Sequence, residues 1–330
     1  MSESVHAFDV VVIGSGGAGL VAALRALDRG ARVAVIEKSK LVGGTTAMSG
    51  GVLWVPGNHL MADVGGEDSP EETLTYLRRV AFGQSTEELL RAFVDAAPEM
   101  VRYLETRTPL RFAAVRRPDY HPEWEGGKLA GRSLDVEPFD ATQLGPRRAL
   151  LRTSPHYPPI TYRERYAWGR PEKFDWPLIA ERMARGIVTL GAALVAGLLK
   201  SCLDSGVQVF TEMRARELIR RSGRVAGVRV SDAEGRPVAF DAARAVVVAS
   251  GGFEWNRRME KDFLRGPELA PATSPWNTGD GILMGAGIGA SLGNMKPGAE
   301  VVLSISYVTE LAAEGAAARF TLPTTVSPRY

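Results

Sequence analysis

A glycine motif near the N-terminus constrains the fold of this chain more than any other feature. The motif Gly14-x-Gly16-x-x-Gly19 follows an apolar, β-branched run at 8–13 and precedes a helical pattern at 20–28. A second apolar strand pattern follows that helix. Strand, glycine turn, helix and strand in this order form a βαβ unit. The sequence therefore predicts an α/β domain whose first turn holds a dinucleotide.

Each glycine of the motif has a physical role. The first permits the tight turn, the second lets a diphosphate approach the backbone, and the third lets the helix pack on the strand. The helix N-terminus adds N–H donors and the positive end of its dipole. Glu37, at the end of the second strand, is predicted to bond the adenosine ribose and to disfavour NADP. The predicted diphosphate-binding residues are Gly14, Ser15, Gly16, Gly17, Ala18 and Gly19.

Two further features favour FAD over NAD. A stretch rich in glycine and hydroxyl residues at 43–51 can follow the diphosphate and the ribitol chain, which a nicotinamide cofactor lacks. A late apolar strand at 244–249 leads to a second glycine cluster and supplies a distant return to the cofactor. An NAD-linked dehydrogenase is the alternative. The predicted contacts in the first stretch are Gly43, Gly44, Thr45, Thr46, Ser49, Gly50 and Gly51.

The remaining pattern divides into helices, strands and one irregular region. Helical patterns start at Ser69 and Thr86, and another covers 191–205. Residues 41–56 and 108–178 show little periodicity, so both are predicted to be irregular. Short strand patterns separated by turn residues predict an antiparallel meander. These strands are expected at 207–210, 215–220, 225–230 and 237–240.

Composition argues against several other classes of protein. The net charge is +2 and the arginines are scattered, so no nucleic-acid surface is expected. The single Cys202 excludes an intramolecular disulfide and favours a reducing, cytoplasmic location. The longest apolar stretch, 187–199, is too short for a transmembrane segment. The histidines lack metal-ligand spacing, so no metal site is expected.

At this point the motifs resemble a known family. They are similar to the fumarate reductase/succinate dehydrogenase flavoprotein superfamily, also described as FAD-dependent oxidoreductase 2. Within it, the chain most resembles the 3-ketosteroid Δ1-dehydrogenases. The resemblance implies a Rossmann-like FAD-binding domain with an antiparallel β-meander and the start of a substrate (cap) domain. The motifs that carry it lie at 12–19, 37–38, 43–51, 53–56, 119–123, 131–133, 193–199, 249–254 and 277–281.

The resemblance also implies further contacts with the cofactor. Residues 49–51 would face the flavin ring, and the backbone at Ala215 would pass the adenine. Members that attach FAD covalently use a histidine in the segment matching 44–51, and this chain has none there. Noncovalent FAD is therefore expected. The additional residues assigned to the cofactor are Lys38, Ala249, Ser250, Gly251, Asn277 and Asp280.

The chemistry that the resemblance implies is dehydrogenation beside a ketone. A proton leaves the carbon next to the carbonyl, and hydride passes from the following carbon to flavin N5. The matching segment contains Tyr120 and His121 as candidate catalytic residues, with His121 where those dehydrogenases have a second tyrosine. The expected substrate is a small ketone, with a steroid as the candidate, and the external electron acceptor is left open. The alternatives are a fumarate-reductase-like enoate reductase and a truncated FAD-binding module without turnover.

Relatives of this kind are usually longer than 330 residues. The chain is therefore expected to be truncated at the C-terminus relative to them. The predicted FAD-binding domain covers 1–295 and includes the irregular region, and 296–330 would begin an incomplete substrate domain. The main catalytic base is expected outside this chain.

Overall fold

The computed structural model describes residues 4–264 and 270–292, together with two short strands at 306–307 and 320–321. The chain forms two compact units. Unit 1 contains residues 1–45, 149–152 and 202–330, and unit 2 contains residues 46–148 and 153–201. The boundary predicted between residues 295 and 296 lies outside the described residues and stays a prediction.

Secondary structure covers most of the described chain. The strands are β1 (Ser4–Ile13), β2 (Val33–Ile36), β3 (Leu53–Trp54), β4 (Phe112–Ala114), β5 (Ser133–Val136), β6 (Phe139–Asp140), β7 (Ile187–Val188), β8 (Gln208–Phe210), β9 (Arg214–Arg221), β10 (Arg224–Ser231), β11 (Pro237–Val248), β12 (Ser306–Tyr307) and β13 (Phe320–Thr321). The α-helices are α1 (Gly17–Leu27), α2 (Gly44–Met48), α3 (Pro70–Val80), α4 (Glu87–Arg107), α5 (Tyr162–Trp168), α6 (Trp176–Arg185), α7 (Leu190–Asp204), α8 (Arg257–Phe263) and α9 (Asp280–Gly287). Three 3-10 helices cover Met61–Val64, Ala141–Leu150 and Pro171–Lys173.

Unit 1 is built on a six-stranded sheet in the order β8-β2-β1-β11-β10-β9. β1 pairs in parallel with both β2 and β11, and β8 extends the parallel part beside β2. The β-branched residues in the second half of β1, at 10–13, are buried, as expected of a strand covered on both faces. The βαβ unit predicted from the sequence is therefore present in this mixed α/β fold.

The meander is present but differs from the prediction at both ends. β9, β10 and β11 form consecutive antiparallel pairs. The strands predicted separately at 237–240 and 244–249 are a single strand, because the residues between them contain no glycine or proline and continue to pair with β1. The strand predicted at 207–210 belongs to the parallel part of the sheet and not to the meander.

Unit 2 contains most of the helices and two small sheets. α3 and α4 begin at the capping residues Ser69 and Thr86, as the sequence predicted. The prediction of an irregular region at 108–178 was wrong in part, because it contains β4, β5, β6 and α5. α5 starts with a capping box in which Thr161 and Glu164 bond each other's backbone N–H groups. The short helix α2 likewise lies in the stretch at 41–56 that was predicted to be irregular.

In the part of the chain that the structure describes, no helix combines the length and the apolar character needed to cross a membrane. α4, which has 21 residues, begins with acidic side chains and carries a polar face, so it is amphipathic.

Candidate cofactor site

The turn between β1 and α1 can be formed only by glycine at two positions. Gly14 has φ +106°, and a Cβ atom there would lie 2.3 Å from the carbonyl oxygen of Ala249. A Cβ atom at Gly19 would lie 2.0 Å from the carbonyl oxygen of Gly14. Side chains are thus excluded where the helix meets the sheet. Gly16 is the N-cap of α1 and provides no side-chain cap, so the helix N-terminus presents backbone alone.

A buried carboxylate connects this turn to the second strand. Glu37 accepts hydrogen bonds at Oε2 from the Ser15 hydroxyl, at 2.6 Å, and from the Ser15 backbone N–H, at 3.3 Å. Its Oε1 accepts from the backbone N–H of Ser39 at 2.9 Å. The Gly43 backbone N–H donates to the Ser15 hydroxyl at 3.0 Å. A carboxylate accepts about four hydrogen bonds, so Glu37 retains capacity for the predicted ribose contact.

Residues far apart in sequence meet around Thr45. Its hydroxyl accepts hydrogen bonds from the Asn277 side-chain amide at 3.0 Å and from the Ser274 backbone at 3.1 Å. The same amide donates to Glu254 at 3.2 Å. Gly251 has φ +78°, and a Cβ atom there would lie 2.8 Å from the Asn277 side-chain oxygen. The structure therefore brings together three predicted cofactor residues: Thr45, Gly251 and Asn277.

Lys38 and Asp280 pair with each other. The ammonium of Lys38 lies 2.9 Å from the Asp280 carboxylate and 2.7 Å from the Thr278 hydroxyl. Arg214 also donates to Asp280, at 3.1 and 3.2 Å. Burial raises the pKa of Asp280, but the hydrogen bonds from Arg214 and Lys38 outweigh it and lower the pKa below its usual value. Their predicted contact with the cofactor stays a prediction, and the structure assigns both groups a structural ion pair.

The Asp280 ion pair predicts a pH dependence of stability. Because the folded pKa lies below the unfolded one, the contribution is complete above the unfolded value, about 3.9, and is lost as pH falls through the folded value. Asp280→Asn should therefore be less stable than the wild type near neutral pH, with a difference that shrinks in acid. Urea unfolding across a pH series measures this difference. A difference that stays constant over the series would contradict the prediction.

The predicted adenine-side segment also lies beside Glu37. The backbone N–H of Met213 donates to the Glu37 carbonyl oxygen at 2.9 Å, and that of Glu212 donates to the Ser39 carbonyl oxygen at 3.1 Å. Ala215 follows at the start of β9 and is buried. The structure thus places this segment next to the acid that was predicted to bind the ribose.

Among the described residues of unit 1, several buried polar atoms have no hydrogen-bond partner. They include the hydroxyls of Ser250 and Ser274, the Nε of Arg152 and one carboxylate oxygen of Glu254. Such atoms cost about 1–3 kcal/mol each when nothing bonds them. Arg152 donates to the Ser39 hydroxyl at 2.9 Å, and burial lowers its pKa. A dinucleotide carries phosphate oxygens and ribose hydroxyls that suit these groups, so the residues fit the cofactor that the turn predicts. Sequence reasoning missed Arg152, which lies in a region without periodicity.

The second half of the 43–51 stretch packs tightly in unit 2. A Cβ atom at Gly51, which has φ +63°, would lie 2.4 Å from the Gly191 backbone nitrogen. The Gly191 N–H donates to the Ser49 carbonyl oxygen at 3.1 Å, and a Cβ atom at Gly191 would lie 1.9 Å from the Thr46 carbonyl oxygen. At Gly50, a Cβ atom would lie 2.4 Å from the ring of Tyr162. This segment is therefore a close-packed backbone with the Tyr162 ring against it.

The two candidate catalytic residues lie at the surface of unit 2. The Tyr120 side chain is 67% exposed. His121 stacks on Trp124 with ring centroids 3.8 Å apart, and its Nδ1 lies 3.1 Å from a carboxylate oxygen of Glu123. The guanidinium of Arg117 lies 5.9 Å from the centroid of the Tyr120 ring. Both candidates are therefore accessible to a small molecule and are not packed in a core.

A buried charge network anchors the loop that carries Tyr120 and His121. Arg132 donates to Asp119 at 2.8 Å and to Asp68 at 2.7 and 2.8 Å, and all three side chains are almost fully buried. The indole N–H of Trp54 donates to Asp119 at 2.7 Å, and so does the Lys128 backbone, at 2.9 Å. Burial lowers the pKa of Arg132, but its bonds to Asp68 and Asp119 give a net increase. Sequence reasoning did not find this network.

With the turn, the carboxylate and the glycine clusters in place, comparison with known proteins identifies the family. The model of the FAD binding domain family matches residues 9–317. The chain belongs to the FAD binding domain family. The matched residues include the glycine turn and the buried polar groups around it, so the family agrees with the cofactor that the turn predicts.

Individual relatives of this FAD binding domain chain are dehydrogenases. It is 37% identical over 290 residues to 4-oxocyclohexanecarboxylate 2-dehydrogenase from Sinomonas cyclohexanicum, covering 86% of this chain and 50% of that protein. It is 35% identical over 315 residues to 3-oxosteroid 1-dehydrogenase from Mycobacterium tuberculosis, covering 88% and 55%. The chain thus spans about half the length of these relatives.

A solved structure is similar over nearly the whole chain. It is the 3-ketosteroid delta1-dehydrogenase from Sterolibacterium denitrificans, in complex with 1,4-androstadiene-3,17-dione. The TM-score is 0.80 and the identity 32%, over 96% of this chain and 60% of that chain. The similarity to the 3-ketosteroid dehydrogenases found in the motifs is therefore confirmed.

Proposed function

We propose that this chain binds FAD noncovalently and is the cofactor-binding part of a dehydrogenase. In this proposal residues 1–295 form a Rossmann-like FAD-binding domain with an antiparallel meander, and the sequence from residue 296 to residue 330 belongs to a substrate (cap) domain. The observation that carries the proposal is the glycine turn joined to Glu37 through Ser15. The absence of a histidine from 44–51 supports noncovalent binding.

The cofactor would be held by residues of several segments. The backbone of the turn and the N-terminus of α1 suit the diphosphate, and the remaining capacity of Glu37 suits the ribose. The unpartnered Ser250 hydroxyl and Arg152 Nε are further donors for its oxygens. Residues 49–51 are the part of the chain proposed to face the flavin ring. When bound, FAD supplies the acceptor for hydride.

The reaction that we propose is desaturation of a carbon–carbon bond next to a ketone. The exposed hydroxyl of Tyr120 donates a hydrogen bond to the ketone oxygen and so acidifies the neighbouring C–H group. The imidazole of His121 is a second group that can exchange a proton at this surface. The substrate loses a proton to a base and a hydride to the cofactor, and a carbon–carbon double bond forms. An external acceptor then takes up the two electrons.

Two kinds of ketone are candidates for the substrate. Relatives are named for 3-oxosteroids and for 4-oxocyclohexanecarboxylate, which is a ring ketone with a carboxylate. Replacement of the family's second tyrosine by His121 favours a substrate other than a steroid. The alternative activity is reduction of an enoate, for which a relative named NADH:acrylate oxidoreductase from Vibrio harveyi, 27% identical, is the support.

The first experiment is a cofactor measurement on the purified chain. We expect a yellow protein with a flavin absorbance spectrum. Acid precipitation should release all the flavin into the supernatant, where chromatography should identify it as FAD. A colourless protein that does not take up added FAD would contradict the proposal, and flavin retained in the pellet would contradict noncovalent attachment.

The second experiment separates turnover from binding. The yellow protein is incubated with each ketone and an artificial electron acceptor, and double-bond formation is followed by ultraviolet absorbance. Product formation supports the dehydrogenase. Bound FAD without turnover on any ketone or enoate supports the FAD-binding module instead.

A further inference from the structure

One guanidinium in unit 2 faces two tyrosines and pairs with no carboxylate of the described residues. The Arg117 guanidinium carbon lies 5.9 Å from the Tyr120 ring centroid and 5.7 Å from the Tyr162 ring centroid. Arg117 is half-buried. Among the described residues, no carboxylate pairs with it and no side-chain or backbone oxygen accepts a hydrogen bond from its guanidinium.

Other arginines of unit 2 that are buried or half-buried pair with carboxylates. Arg132 binds two aspartates, and Arg182 binds Glu164 at 2.6 and 2.7 Å. A guanidinium presents five N–H donors and matches the two oxygens of a carboxylate. A cation–π contact with an aromatic ring does not use the N–H donors of a guanidinium, which stay available for another group.

The position of Arg117 connects it to the proposed reaction site. Tyr120 is the candidate donor to the ketone oxygen. Tyr162 lies against Gly50, which belongs to the segment proposed to face the flavin. An anion held by Arg117 would therefore belong to a molecule in contact with both tyrosines.

We propose that Arg117 binds a carboxylate on the substrate, so that the preferred substrate is a ring ketone bearing a negative charge and not an uncharged steroid. This rests on the proposed function and adds the substrate class and the residue that selects it. Charge-assisted, two-point bonds between arginine and a carboxylate are among the stronger polar contacts in proteins. Tyr120 at the ketone and Arg117 at the carboxylate would together fix the orientation of the ring.

The test compares binding of an acid and its ester to the purified chain. Calorimetric titration with 4-oxocyclohexanecarboxylate and with its methyl ester measures what the negative charge contributes to the same ring ketone. The wild type should bind the acid at least about tenfold more tightly than the ester. Arg117→Gln should remove this preference, and Arg117→Lys should retain part of it, because the charge remains but the planar fork is lost.

The adjacent Arg116 provides a matched control. It is exposed, and Arg116→Gln makes the same change in net charge one residue away. This variant should keep the preference of the wild type. Equal binding of acid and ester by the wild type, undetectable binding of the acid, or an unchanged preference in Arg117→Gln would each overturn the proposal.

Flavin content separates this proposal from the proposed function. Arg117→Gln should contain as much FAD as the wild type and unfold at the same temperature. A colourless wild type that prefers the acid would contradict FAD binding while supporting the role of Arg117. A yellow wild type that does not distinguish acid from ester would support FAD binding and contradict the role of Arg117.

Discussion

Gly14→Ala is expected to abolish FAD binding and to destabilise unit 1 strongly. The new methyl group would lie 2.3 Å from the Ala249 carbonyl oxygen and 2.8 Å from its carbon, and both are backbone atoms that cannot move aside. The backbone at this position also has φ +106°, which an L-residue rarely adopts. We expect a loss of about 3 kcal/mol or more in the free energy of unfolding, in the range reserved for severe backbone conflicts.

Gly30→Ala is the matched control for this change. Gly30 lies in the same unit and also has a positive φ, +75°, but among the described residues no atom beyond its chain neighbours lies within 4 Å of the position that its Cβ would take. The substitution should cost about 1–2 kcal/mol from backbone strain alone and leave the flavin-to-protein absorbance ratio unchanged. For both variants, urea unfolding measures the loss of stability and the absorbance ratio measures FAD binding. Equal behaviour of the two would show that the contact with Ala249 is not what requires glycine.

The turn could be predicted because its determinants are local in sequence. The order of strand, glycines and helix fixes what Gly14 and Gly19 must do. The sequence could not say that Ala249 is the group that Gly14 approaches, since that contact depends on how β11 pairs with β1. Local signals likewise predicted the starts of α3 and α4, where Ser69 and Thr86 cap the first turn.

Predictions failed where long-range pairing decides the structure. β8 has the same apolar pattern as the meander strands, and only its parallel pairing with β2 places it elsewhere in the sheet. The region at 108–178 lacks periodicity because its strands have two to four residues each, too short to show alternation. The capping box at Thr161 and Glu164 was a local signal that could have identified α5.

Only part of the cofactor site was predicted, because some of its contacts also depend on long-range structure. Ser15, Glu37 and Gly43 are close in sequence, and their hydrogen bonds follow from the βαβ unit. The resemblance assigned Asn277 to the cofactor, but its contact with Thr45 was not predicted, because no local pattern connects the two residues. Arg152 was missed altogether, since a buried arginine has no signature in a region without a strand or helix pattern.

Arg132 is the clearest case of a residue whose importance only the structure reveals, and its replacement is expected to be the most damaging change in unit 2. Arg132→Met would leave the Asp68 and Asp119 carboxylates buried without a cation. Removing one partner of a buried ion pair costs about 3–5 kcal/mol, because the remaining charges stay desolvated. Urea unfolding at neutral pH should show a loss of this size.

Arg132→Met has two controls, one at an ion pair on the surface and one that also neutralises the buried aspartates. Arg185 pairs with Glu181 at the surface, where its side chain is 65% exposed, so Arg185→Met should cost less than about 1 kcal/mol. Combining Arg132→Met with Asp68→Asn and Asp119→Asn should recover part of the lost stability, since no buried charge is then left unpaired. A triple variant that is less stable than Arg132→Met would show that hydrogen bonds of the aspartates, and not their charge, dominate the network.

The same variant tests whether this network positions the candidate catalytic loop. Asp119 immediately precedes Tyr120, and its side chain receives hydrogen bonds from Arg132, Trp54 and the Lys128 backbone. Losing Arg132 should release the loop, so amide hydrogen exchange should accelerate more across 116–128 than across α4, which lies in the same unit. A uniform acceleration over unit 2 would indicate that Arg132 contributes to stability alone. A selective one would make the buried ion network the element that holds Tyr120, and with it the Arg117 guanidinium, in the arrangement on which substrate recognition depends.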